Sequence, residues 1–111
     1  MAVFDSAARS KGDLAGVFEY DDSDGPTAYF YLCRIEDGVT GQVEGAIHVR
    51  SGLWNITEPD IGIMWDQTER RVGLFVHGVL CAAFDTVTGT KHGGGMAKIS
   101  MPTFAGPDAQ L

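Results

Sequence analysis

Basic residues are scarce in this 111-residue chain: 8 Lys and Arg stand against 15 Asp and Glu, for a formal charge of -7. A nucleic-acid surface needs a dense field of cations to release counterions, so that class of partner is excluded. Long apolar runs are missing as well. Nothing approaches the roughly 20 residues of a membrane span, and Met1–Gly12 lacks the charged-then-apolar order of a signal peptide. Cysteine is held to two residues, with no CxxC spacing to imply zinc or redox chemistry. Cys33 and Cys81 each close or interrupt an apolar run, Tyr29-Phe30-Tyr31-Leu32-Cys33 and Val79-Leu80-Cys81-Ala82-Ala83-Phe84, as buried reduced thiols do. The expected setting is therefore cytoplasmic.

What is present is glycine, 15 residues of it, dividing short apolar runs. Leu14–Tyr20, Thr27–Ile35, Val43–Arg50, Asp60–Trp65, Arg70–Val76, Val79–Asp85 and Met96–Met101 read as strands. They are bounded by turn chemistry at Asp21–Pro26, Glu36-Asp37-Gly38, His77-Gly78 and Thr88–Gly95, the last read as a mobile hairpin loop. Close spacing favours an antiparallel meander over parallel crossovers. The expected fold is mainly β: one domain spanning 1–111, a sandwich or half-barrel of about six or seven strands. Ala2–Ser10 carries Val3, Phe4, Ala7 and Ala8 at helical spacing and predicts a short N-terminal helix. Ser51–Glu58 predicts a turn.

His77-Gly78 has the pattern of a two-residue hairpin turn with positive φ at both positions. It sets Val76 opposite Val79, Leu74 opposite Cys81, Val72 opposite Ala83 and Arg70 opposite Asp85. A turn centred on Gln67-Thr68 sets Trp65 against Arg70 and Ile63 against Val72. One face then collects Ile61, Ile63, Trp65, Val72, Leu74, Val76, Val79, Cys81 and Ala83 as core. The other face places Gly62, Gly73 and Ala82 in one row, a shallow trough flanked by Phe75 and Phe84. Such a trough would take a helix, a second subunit or a small ligand.

Reactive constellations are not legible. Asp22, Asp24 and Gly25 match part of a calcium loop, but Tyr20 and Tyr31 stand where its first and last ligands belong. His48, His77 and His92 have neither HxH nor HxxxH spacing. His92-Gly93-Gly94-Gly95 lacks the G-x-S-x-G elbow that would make it an oxyanion loop, and Gly89–Gly95 fails as a P-loop. No catalytic residue, metal or cofactor is assigned. The expected ligand or interface residues are Gly62, Gly73, Ala82, Phe75, Phe84, Tyr29, Tyr31, His48 and Trp65.

Several segments, in order, resemble a family of small bacterial proteins classed as a conserved domain of unknown function. They are Val17–Asp22, Thr27–Tyr31, Ala46-Ile47-His48, Ile63-Met64-Trp65, Leu74–Gly78 and Ala83-Phe84-Asp85. Family members read FEDDGETGYFYA, ALHIY, IVWS and LLINGYPHAVFD in the same places. The family's Asn-Gly turn is His77-Gly78 here, and the match fades after Asp85. The resemblance implies a bacterial cytoplasmic β domain with interest at Glu19, Tyr29, Tyr31, His48, Trp65 and Asp85; it implies no activity. The expected function is a non-enzymatic interaction module, self-associating as a homodimer and open to a basic protein partner by charge complementarity. The alternative is a small-ligand-binding β domain, with a small hydrolase or metal enzyme behind it.

Overall fold

In the computed structural model, which describes residues 2–93, side chains alternate in and out along eight antiparallel strands. The first four are β1 (Ala2–Ala8), β2 (Leu14–Asp21), β3 (Thr27–Glu36) and β4 (Val39–Ser51). They form one sheet, here sheet A, in sequence order. A linker and a single 3-10 turn at Glu58–Asp60 lead to β5 (Ile61–Trp65), β6 (Arg71–Val76), β7 (Val79–Asp85) and β8 (Lys91–Gly93), which form sheet B in the same order. The mainly β, antiparallel meander expected from the tempo of glycines is what forms. It has two sheets, with β1 against β5 and β4 against β7 and β8.

The core lies between them. Phe18, Tyr20, Phe30, Leu32 and Ile47 of sheet A meet Ile61, Trp65, Val72, Leu74, Val76, Ala82 and Phe84 of sheet B. Two glycines let the sheets approach. A Cβ on Gly16 would stand 2.8 Å from Val72 Cγ2, and one on Gly45 would stand 2.9 Å from Phe84 Cε1. Trp65 ties the layers together by donating its indole N–H to the Ala7 carbonyl at 2.9 Å. Ile56 on the linker is buried in the core, and Trp54 packs edge-on against Phe18 and Tyr20. The Tyr20 hydroxyl accepts the Trp54 backbone N–H at 2.9 Å, which holds the linker in place.

The N-terminal helix does not form; the segment is edge strand β1. Pairing with β2 satisfies its backbone, and a period of two puts Val3, Asp5 and Ala7 on the inner face while Phe4 and Ser6 face out. An inward-pointing carboxylate such as Asp5 on an edge strand discourages further strand pairing. The strand count therefore exceeds the expected six or seven. β8 also differs, because Lys91–Gly93 of the expected loop pairs with β7. The predicted strand Met96–Met101 lies outside the described residues.

The hairpin at His77-Gly78 forms as predicted, with φ of 51° and 79° and Val76 opposite Val79. Two register corrections follow around it. Asp66 Oδ1 accepts the backbone N–H of Arg70 and Arg71 and the Thr68 hydroxyl, and the wider turn this organises pairs Trp65 with Val72, not Arg70. That shift of two residues preserves faces. A bulge between Leu74 and Phe75 does not: Phe75 pairs Leu80 while Leu74 pairs Ala82, so Cys81 is the extra residue. Ala82 and Phe84 consequently turn into the core. Val79, next to the hairpin turn and ahead of the bulge, is 42% exposed.

Candidate functional site

The bulge removes the expected trough. Gly73 pairs with Met64 and Ala83 on the outer face of sheet B, while Ala82 sits beside Leu74 on the inner face. Gly62, Gly73 and Ala82 therefore never form a row. Of the residues meant to flank it, Phe75 is half-buried on the outer face beside Gly62 and Leu80. Phe84 is core, its ring 5.4 Å from Phe30. Trp65 is also core, with the Arg9 guanidinium 5.5 Å over its ring.

The other three expected residues do come together. On the outer face of sheet A, the ladder aligns Phe4, Glu19, Tyr29 and His48 in one rung and Ser6, Val17, Tyr31 and Ala46 in the next. Tyr29 and Tyr31, two apart on β3, stack with ring centroids 5.7 Å apart and planes 15° apart. His48 leans on Tyr29 at 5.2 Å. Beneath the rings, Ala15, Val17 and Cys33 form a small second apolar cluster against Tyr31 and Ile35. Phe4 is 53% exposed at the edge of this face. Burial, then the Glu19 carboxylate, then Tyr29 push the Tyr31 hydroxyl above its ordinary pKa.

Sequence reasoning missed Phe4, since a helix would have taken it away from Glu19. Glu19 entered only through the family resemblance and not from its own pattern on the strand. Alternation along Ala2–Ala8 was the available signal. Glu19 differs from most carboxylates on the strands. Arg34 holds Glu44, Ser23 occupies Asp21, and Arg70 and Arg71 hold Asp85, whereas Glu19 has no donor or cation against it among the described residues.

His48 has one further contact: its Nε2 lies 2.8 Å from the Ser51 hydroxyl. Acyl transfer from such a pair needs a group orienting the other ring nitrogen and donors for an oxyanion. Neither is in place among the described residues, and both side chains are exposed.

A concavity of about 220 Å³ lies where the sheets part, lined by Leu32, Glu44, Gly45, Phe84, Asp85, Thr86, Gly89 and Lys91. Pockets for small molecules commonly hold about 300–1,000 Å³. Its polar groups are also engaged. Asp85 accepts from Arg70, Arg71, Val87 N–H and Thr88 N–H, and Lys91 Nζ reaches the Ala46 carbonyl at 3.3 Å. Arg70 thus meets Asp85 as expected, with Arg71 the register partner. Arg70 first, with the loop N–H groups of Thr88 and Val87, holds this carboxyl well below the usual range despite its burial.

Cys33 is buried and Cys81 partly buried, both as free thiols, and burial raises both pKa values. Among the described residues no three His, Cys, Asp or Glu side chains converge as a metal site, and no helix is long and apolar enough to cross a membrane. No protein-family model, curated protein or solved structure matches this chain.

Proposed function

We propose that the chain is a non-enzymatic interaction module that docks a basic protein on the outer face of sheet A. The observation that carries this reading is the ladder on that face of exposed Phe4, Glu19 and His48 with half-buried Tyr29 and Tyr31. Aromatic side chains offer large rigid contact area at low entropic cost, and they are enriched where proteins meet. An aromatic patch rimmed by polar groups is the usual form of a docking surface. The charge of -7 favours a cationic partner over a second copy, because two copies of this face would bring Glu19 and Asp21 against like charge. The small-ligand reading is weaker, since the cleft beside Asp85 is small and its charges are already paired.

Photo-crosslinking tests the reading. Replacing Phe4 with p-benzoylphenylalanine, in the cells that naturally make the protein, should give an adduct with a protein of net positive charge. The same label at Val87, exposed on the turn between β7 and β8, should not. Adducts that are identical at the two positions, or none at Phe4, would overturn the reading; an adduct between two copies would replace the basic partner with a homodimer.

A further inference from the structure

The geometry points to Glu19 with the stacked Tyr29 and Tyr31 as a slot for an arginine side chain of the partner, an inference that rests on the docking face proposed above. The carboxylate sits on the central strand of the rung, between Phe4 on β1 and Tyr29 on β3. It is exposed and has no cation of its own among the described residues. Each ring of the stacked pair uses one face on the other and keeps its opposite face, so the pair holds two fixed rings upright beside the charge.

A guanidinium is the group that uses both features. It is planar, stacks on aromatic faces, and meets a carboxylate with two parallel N–H donors. An ammonium offers a compact, strongly hydrated charge and gains less from a ring face. A neutral side chain would leave Glu19 desolvated without compensation. His48, leaning on Tyr29 and bonded to Ser51, borders the stacked pair on the β4 side.

The test titrates the full chain with three matched peptides of alternating glycine, carrying arginine, lysine or citrulline at the remaining positions, and reads the tyrosine ring resonances. The arginine peptide should shift Tyr29 and Tyr31 and bind about tenfold tighter than the citrulline peptide, with lysine between them. Glu19→Gln should bring arginine down to the citrulline level, whereas Asp24→Asn, which removes the same charge from the neighbouring turn, should leave binding within about twofold. Unchanged melting of both variants shows that the fold is intact. Equal losses from Glu19→Gln and Asp24→Asn, or shifts confined to the Asp21–Pro26 turn, would overturn the slot in favour of diffuse attraction. A charged partner crosslinked at Phe4 together with failed arginine selectivity removes the slot and leaves the docking face standing. Arginine selectivity without any crosslinked partner removes the docking face and, with it, the slot as a site for a partner's arginine.

Discussion

Removing the Asp85 carboxylate should be among the most damaging single changes in the described part of the protein. Its side chain is 6% exposed and accepts from Arg70 Nε at 3.0 Å, Arg71 Nε at 3.2 Å, Val87 N–H at 2.9 Å and Thr88 N–H at 3.1 Å. In Asp85→Ala, Arg70 is exposed enough to rehydrate, and Arg71 keeps Asp66 at 3.8 Å. Those two contributions are therefore discounted. The loop N–H groups lose a charged acceptor, at about 1.5–3 kcal/mol each, with the low end apt beside solvent. The sum is about 3 kcal/mol, or a fall in Tm of about 12–20 °C for a domain this size. Asp85→Asn keeps one acceptor oxygen and should lose about half as much.

The pH dependence has a fixed sign. A folded-state pKa below the unfolded value of about 3.9 means that the unfolded chain takes up the proton first. The stabilisation is fully present above pH 4 and is lost as pH falls through the lower, folded value. Wild type should therefore lose stability faster than Asp85→Asn below about pH 4. Urea unfolding followed by the fluorescence of Trp54 and Trp65 measures all of this. An Asp85→Ala variant within about 1 kcal/mol of wild type at pH 7 would refute the reasoning.

Two further perturbations probe the packing. Gly16→Ala forces a methyl against Val72, Ile63 and Phe30 and should cost about 1–3 kcal/mol, while Gly62→Ala meets only Phe75 Cβ at 3.8 Å and should be neutral or better. Equal unfolding midpoints for the two variants would contradict the close approach of the sheets. Tyr20→Phe leaves the Trp54 N–H without its acceptor and should cost about 1–2 kcal/mol. Hydrogen exchange should accelerate first in the linker across 52–57; unchanged protection there would show that the hydroxyl does not anchor it.

Much of the fold was legible because strand residues announce themselves by local chemistry. Glycine and aspartate at Asp21–Pro26 and His77-Gly78 punctuate the chain, and Val79–Asp85 was delimited to the residue. Ala2–Ala8 was not, because seven short residues satisfy a helical and a strand period almost equally. The tie is broken by β2, whose edge was available for pairing. The candidate site was legible in part. Tyr29, Tyr31 and His48 were visible as polar aromatics on strands, while their partners Phe4 and Glu19 depended on how β1 and β2 align.

The sequence by itself determined the antiparallel β class, the positive-φ turn at His77-Gly78 and the inward faces of β5 and β6. Each of these rests on residues adjacent in the chain. The tertiary structure decided the bulge at Cys81 and the close approach of the sheets at Gly16 and Gly45. It also decided which face carries the aromatic ladder. A bulge adds one residue to one strand and reverses every side chain beyond it, and nothing local records that choice. It is settled by whether Phe84 finds Phe30 across the core.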